Sequence, residues 1–223
     1  MYRSNPPRLA LAATLALVVQ LSACISPPVL EQPSPDAQLD SLLSTTTEPS
    51  PDLARGVRAL SLEQPGHVPT LIADAALSME TDRQERARSL LDMALKSEPD
   101  NVDAVQLAVQ LAARSGDLAG AHRRVEAALR TRPDAPGLHE AHAALLFVEG
   151  RYTEALAALD RADALAGEAS WRSAYHRGLI AEDLGELEVA ERHYLECTAM
   201  DATFEPAARR LRWVRAQRAS LDD

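Results

Sequence analysis

The short motif with the clearest potential for chemistry is His139-Glu140-Ala141-His142. Zinc hydrolases carry two histidines four positions apart on one helix face, with a glutamate between them as general base. Here the second histidine comes three positions after the first, and position 143 is alanine. A catalytic zinc ion takes three protein ligands, and two histidines without a third close a weak site at best. We therefore predict no metal and no cofactor.

Two cysteines are present, and they occur in different contexts. Cys197 falls at a position where small residues recur elsewhere in the chain, which predicts a buried, unreactive thiol rather than a nucleophile. The sequence has no Gly-rich phosphate loop after a predicted strand, and its Ser, His and Asp residues lack a nucleophile elbow. We therefore predict that the protein is not an enzyme and takes no small-molecule substrate. An enzyme would need a polar pocket with perturbed ionisable groups.

Cys24 ends an N-terminal segment that has the features of a secretory signal. The first eight residues carry two arginines and no acid, and residues 9–19 are apolar apart from one threonine. That run is too short to span a membrane comfortably. The small residues before Cys24 resemble the lipobox of bacterial lipoproteins, in which the chain is cut before the cysteine and the cysteine is acylated. We expect residues 1–23 to be a lipoprotein signal peptide and Cys24 to be lipidated; an ordinary signal peptide is the alternative.

Acylation at Cys24 would attach the chain to a membrane, because several acyl chains exceed what stable anchoring requires. Ile25 stands where enteric lipoproteins of the inner membrane usually carry Asp, so the resemblance favours the periplasmic face of the outer membrane. The net charge of −10 argues against a nucleic-acid partner. A soluble cytoplasmic scaffold with a wrongly assigned start is the alternative.

Residues 24–51 are rich in proline, serine and threonine. Proline removes backbone donors, and hydroxyl side chains compete for backbone hydrogen bonds. This stretch is predicted to be a disordered tether, with at most a transient helical turn over residues 36–43. The rest of the chain is rich in alanine and poor in β-branched residues, which disfavours a β-sandwich or a barrel.

A 34-residue period organises the chain after the tether. Three sets of residues recur at this spacing: Pro65, Pro99 and Pro133; Ala87, Ala121 and Ala155; and Ala94, Ala128 and Ala162. Within each period, apolar residues spaced three and four apart predict two helices, often separated by glycine. Repeats of this length indicate a solenoid of stacked helix pairs.

These residues resemble the tetratricopeptide repeat, with its glycine near position 15 and its alanines near positions 20 and 27. The resemblance covers four units over residues 68–204, and Asp82 replaces the usual glycine in the first. It implies an all-α fold: an α-solenoid of about four tetratricopeptide-type helix pairs with a C-terminal capping helix. Residues 52–67 are predicted to be the leading helix of a degenerate repeat, and residues 205–223 the capping helix and tail.

The resemblance also implies a concave groove, lined by the first helix of each unit, that binds protein partners. The groove residues predicted in this way are Gln106, Gln110, Arg114, Glu140, Phe147, Arg172, Tyr175, His176, Leu179 and Glu182. Phe147 and Tyr175 are the predicted aromatic anchors, although packing of Phe147 between repeats is equally open. The arginines of the capping helix are expected to solvate its outer face, with a binding patch as the alternative.

Together these features predict a membrane-anchored periplasmic lipoprotein that serves as a protein–protein interaction scaffold or adaptor in cell-envelope assembly. Its partners would be one or more envelope proteins. A pilotin-like factor for pilus or secretin assembly is the alternative.

Overall fold

The computed structural model describes residues 33–44 and 50–222, and every secondary-structure element in this part is an α-helix. We number these helices in chain order: α1 (Pro35–Ser44), α2 (Pro51–Glu63), α3 (Val68–Glu80), α4 (Gln84–Ser97), α5 (Val102–Ser115), α6 (Leu118–Thr131), α7 (Pro136–Val148), α8 (Tyr152–Ala166), α9 (Trp171–Asp183), α10 (Leu187–Met200) and α11 (Glu205–Asp222). The predicted signal peptide, Cys24 and the flanking parts of the tether lie outside the described residues.

Successive helices form antiparallel pairs, because the loops between them are short. The first helices of the pairs, α1, α3, α5, α7 and α9, contact one another in one row, and α11 packs on α10 at the end. This arrangement confirms the predicted fold class, an α-solenoid of tetratricopeptide-type helix pairs with a C-terminal capping helix. The row of first helices is the element that positions the candidate site.

Helix α1 lies where the sequence predicts a disordered tether. Its Leu39 is 5% exposed and packs against Leu53, Val57 and Leu60 of α2. The proline-rich composition predicted disorder wrongly for residues 35–44. Pro35 occupies the first helical position, where its missing amide hydrogen is tolerated. The leading helix therefore has a partner, and α1–α2 is a complete fifth pair rather than half of a degenerate repeat.

The turns inside the pairs explain why Asp82 can replace glycine. Asp82 has a φ of 55°, in the left-handed region also occupied by Gly116, Gly150 and Gly185 at the equivalent positions. After α3, the Arg83 amide donates to the Ser78 carbonyl at 2.8 Å, which closes a Schellman-type turn. The aspartate keeps the turn and accepts the strain that a Cβ atom adds in this conformation.

Side-chain size is complementary between the two helices of the last pair, α9–α10. Gly178 on α9 faces the ring of Tyr194 on α10, and a Cβ atom at residue 178 would lie 2.5 Å from its Cε1. In the first and third repeats the corresponding residues are alanine and leucine, as in Ala75 with Leu91. A smaller residue on one helix thus accompanies a larger residue on the other.

The capping helix is held by ion pairs as well as by apolar packing. Arg210 Nη1 lies 2.5 Å from Glu182 Oε1, and Arg215 and Arg218 both bind Glu191 on α10. The two arginines lower the pKa of Glu191 through their hydrogen bonds to its carboxylate. The sequence analysis expects the arginines of α11 to solvate its outer face, and the structure shows that three of them also pair with acids of α9 and α10.

Candidate functional site

Five of the ten predicted groove residues line one depression on the row of first helices, which we call the repeat groove. α5 contributes Gln106 and Gln110, α7 contributes Glu140, and α9 contributes Arg172 and His176. Its floor is completed by Val109, Ala141 and Ala144, and its volume is about 60 Å³. Three successive helix pairs therefore meet at this point, as the 34-residue spacing predicts.

Glu140 forms the buried centre of the repeat groove and is 7% exposed. The Ser170 hydroxyl donates to its Oε1 atom, and Gln106 Nε2 donates to its Oε2 atom at 3.4 Å. Gln106 Nε2 also donates to the Gly137 carbonyl at 3.2 Å. Because its carboxylate already accepts hydrogen bonds from both neighbouring pairs, Glu140 aligns the groove. Ser170 was not predicted, although it was recognisable as the serine before α9, where it caps the helix.

Arg172 is the cationic side chain of the repeat groove. Its guanidinium carbon lies 4.4 Å from the ring centroid of Trp171, which supports the charge by a cation–π contact. Arg172 forms no direct ion pair with any residue of the described part of the chain, although its charge contributes to lowering the pKa of the nearby Asp201. Gln110 beside it is exposed and makes no side-chain hydrogen bond there. These two side chains are therefore open to a partner.

His176 lines one side of the repeat groove, and its imidazole is neutral. Its Nδ1 atom lies 2.9 Å from the Arg172 carbonyl, which can only accept, so Nδ1 carries the hydrogen. Burial lowers the pKa of His176, and this outweighs the hydrogen bond to the Arg172 carbonyl, which raises the pKa. His176 thus contributes shape and hydrogen bonding rather than charge.

The other predicted groove residues have partners within the fold. Arg114 Nη1 donates to the Met79 carbonyl at 3.1 Å. Phe147 packs against the third-repeat core and Tyr152, with 6.0 Å between ring centroids. Leu179 packs against the core beneath α11. Phe147 therefore packs between helices, and its role as an aromatic anchor stays a prediction.

Tyr175 and Glu182 also face α11 rather than the repeat groove. The Tyr175 ring makes an edge contact with Phe204 at 5.0 Å and lies 6.0 Å from the Tyr194 ring. Desolvation raises the pKa of the Tyr175 hydroxyl. Glu182 accepts from the Tyr194 hydroxyl at 2.7 Å and pairs with Arg210. The Tyr175 and Arg172 side chains therefore lie on different surfaces, although the two residues are three positions apart on α9.

The residues considered for chemistry do not assemble a reactive centre in the described part of the chain. His139 Nε2 lies 2.8 Å from the Pro133 carbonyl, and burial lowers the pKa of His142. Cys197 is fully buried, and desolvation raises the pKa of its thiol to about 11. Within residues 33–44 and 50–222, no three His, Cys, Asp or Glu side chains are grouped as metal ligands. None of the described helices is long and apolar enough to cross a membrane.

Neither protein-family profiles nor curated proteins show a match to the sequence. Solved structures do match the fold. A chain of the APC/C hetero-tetramer Cut9–Hcn1 has a TM-score of 0.65 and 12% identity over 82% of this chain, which spans only 37% of that longer one. A thermophilic tetratricopeptide repeat protein from Thermus thermophilus has a TM-score of 0.63 and 16% identity, covering 92% of this chain and 98% of its own.

A tetratricopeptide repeat protein from Parabacteroides merdae is similar over 92% of this chain and 91% of its own, with a TM-score of 0.53 and 13% identity. At such identities the likeness concerns the path of the backbone and not the side chains of the groove. The chain has the fold of tetratricopeptide repeat proteins.

Proposed function

We propose that the protein is a membrane-anchored periplasmic lipoprotein that acts as a protein–protein interaction scaffold in the cell envelope. The observation that carries the scaffold function is the repeat groove. Glu140 fixes the alignment of three helix pairs, and Gln110 and Arg172 remain open beside it. Stacked helix pairs present such extended surfaces to protein partners.

The chemistry of the repeat groove favours a polar segment of the partner. The Gln110 amide can donate to and accept from a peptide backbone, and the Arg172 guanidinium can hold a carboxylate or a backbone carbonyl. At longer range the net charge of −10 favours a basic or neutral partner. We therefore expect a locally acidic or carbonyl-rich contact within a partner that is not strongly acidic overall.

Anchoring through lipid at Cys24 is supported by the N-terminal sequence pattern. If the cysteine is acylated, labelled palmitate will be incorporated into the wild-type chain and not into Cys24→Ala. The Cys24→Ala variant should leave the membrane fraction or remain unprocessed. A processed Cys24→Ala variant that stays fully membrane-bound would contradict the lipoprotein assignment.

The scaffold function can be tested by capture of envelope proteins on tagged variants of the chain. Arg172→Ala removes a charged donor, so capture should weaken by about 1.5–3 kcal/mol where that donor meets a carboxylate. Arg130→Ala on α6, an exposed arginine on a second helix, is the matched control and should capture normally. Equal loss in both variants, or in neither, would contradict binding at the repeat groove. Tyr175→Ala is a poorer test, because Tyr175 supports α11.

A further inference from the structure

A second cavity lies at the other end of the solenoid, between α2 and α3. It has a volume of about 400 Å³, within the range of small-ligand pockets. Ala54 and Leu77 contribute apolar surface. Three arginines, Arg55, Arg58 and Arg83, also line the cavity, and Arg55 pairs with Asp52. The cavity is separate from the repeat groove, with which it shares no lining residue.

Arg58 marks a reversal of charge along the repeat. Its position carries an acid in each of the next three pairs, namely Asp92, Glu126 and Asp160. Two of these acids bind arginines of the following pair. Arg124 Nη2 lies 2.5 Å from Asp92 Oδ1, and Arg177 Nη2 lies 2.9 Å from Asp160 Oδ1. Arg58 forms no ion pair with any described residue.

The nearest acid inside the cavity cannot neutralise Arg58. Asp74 is 4% exposed, and both of its carboxylate oxygens are bound by Arg86, through Nε at 3.3 Å and Nη2 at 2.5 Å. Ser78 adds a further hydroxyl contact at 3.4 Å. Asp74 and Arg86 therefore form a neutral pair that makes up part of the cavity wall.

Arg83, like Arg58, lacks the ion-pair partners that other repeats provide at or around its position. Arg151, its equivalent in the third repeat, pairs with Glu149 at 3.0 Å and with Glu154 at 2.6 Å. In the first repeat a threonine and an arginine occupy the positions of those two acids. Arg83 follows the left-handed residue of the Schellman-type turn, which fixes its backbone at the cavity, and it forms no ion pair among the described residues.

We propose that this cavity binds a phosphate monoester group. Two guanidinium groups that have no ion-pair partner among the described residues match the charge of a phosphate monoester, about −2 at neutral pH, better than that of a single carboxylate. Two acids, Asp82 and Glu85, line an adjoining outer depression, which Arg58 and Arg83 also line, but neither acid lines the cavity itself or forms an ion pair with these arginines among the described residues. The apolar surface of Ala54 and Leu77 would take the organic part of the ligand. The phosphate group can come from a soluble phosphorylated compound or from a lipid headgroup.

Calorimetric titration of the full chain with phenyl phosphate at constant ionic strength tests the proposal. The wild-type chain should bind it, and Arg58→Gln and Arg83→Gln should each weaken binding by about tenfold or more, because a charge-assisted bond is lost. Arg209→Gln removes an unpaired arginine on α11 and should bind as the wild type does. Circular dichroism verifies that each variant is folded.

Two further measurements identify the phosphate source and the ligand class. Flotation of the Cys24→Ala variant, which lacks the proposed lipid anchor, with vesicles containing phosphatidic acid, compared with phosphatidylcholine alone, shows whether a lipid phosphate enters the cavity. Benzoate is the matched carboxylate and should bind more weakly than phenyl phosphate. Absence of binding to both phosphate sources, benzoate binding as tight as phenyl phosphate, or equal weakening by Arg209→Gln would overturn the proposal. Arg172→Ala should leave phosphate binding unchanged, so failure here is distinct from failure of the repeat groove.

Discussion

Replacing Gly178 by alanine should destabilise the protein, although alanine is the better helix former. A Cβ atom at residue 178 would lie 2.5 Å from Cε1 and 2.7 Å from Cδ1 of Tyr194. The Tyr194 ring is fully buried, and its hydroxyl donates to Glu182 at 2.7 Å. The ring cannot withdraw without loss of packing beneath α11.

The expected magnitude follows from two opposing terms. Overpacking of a filled core costs about 1–3 kcal/mol. Replacing glycine by alanine inside a helix returns about 0.5–1 kcal/mol. The net loss in the free energy of unfolding should therefore lie between about 0 and 2.5 kcal/mol, with a middle value of about 1 kcal/mol, which lowers Tm by roughly 2–4 °C in a protein of this size.

A double-mutant cycle isolates the contact. Gly178→Ala with Tyr194→Leu recreates the alanine–leucine combination found at Ala75 and Leu91. The double variant should be more stable than the sum of the single changes predicts, with a coupling free energy of about 1 kcal/mol or more. The difference between Ser89→Gly and Ser89→Ala, at an exposed position of α4, measures the glycine-to-alanine helix-propensity effect alone. Additive losses, or a Gly178→Ala variant that melts above the wild type, would refute this reasoning.

Four other predictions test the fold, and each is measured by thermal melting or by thiol labelling. Asp82→Gly should raise the free energy of unfolding by about 0.5–1 kcal/mol, because it removes a Cβ atom from a left-handed residue. The lowered pKa of Glu191 means that its ion pairs with α11 stabilise the protein above the ordinary glutamate value of 4.5 and are lost as the pH falls below it, so Glu191→Gln should flatten the acid side of the Tm profile. Cys197, with a thiol pKa of about 11, should resist alkylation at neutral pH until the chain unfolds, measured in a variant without the other cysteine. Ala121→Leu or Ala155→Leu, both at fully buried positions, should cost about 1–3 kcal/mol, and unchanged melting of both would contradict the close helix contact.

The repeat period predicts most of the fold because it constrains many positions at once. Small residues such as Ala87, Ala121 and Ala155 recur where helices approach closely, and each is fully buried. Helix α1 was not predicted from the sequence. It has few apolar residues around Leu39, and these stabilise the helix only by packing on α2 and α3. Local composition cannot register such tertiary contacts.

The groove was predicted less completely than the fold, for a related reason. Position along the repeat identifies the face of a first helix but not what covers that face. Gln110 and Arg172 stay open, whereas Tyr175 contacts Phe204 just before α11, and Glu182 pairs with Arg210 of α11. The bond from Ser170 to Glu140 joins residues 30 positions apart and is visible only in the folded chain.

Site-specific photo-cross-linking in the native envelope tests the central claim, binding of a protein partner at the repeat groove, most directly. A photoreactive residue at Gln110 places the probe in the groove, and one at Arg130 places it on an exposed second helix. We expect a discrete protein adduct from position 110 that diminishes when Arg172→Ala is added, and no such adduct from position 130. Adducts from position 130 alone, or an adduct at position 110 unaffected by Arg172→Ala, would contradict the account.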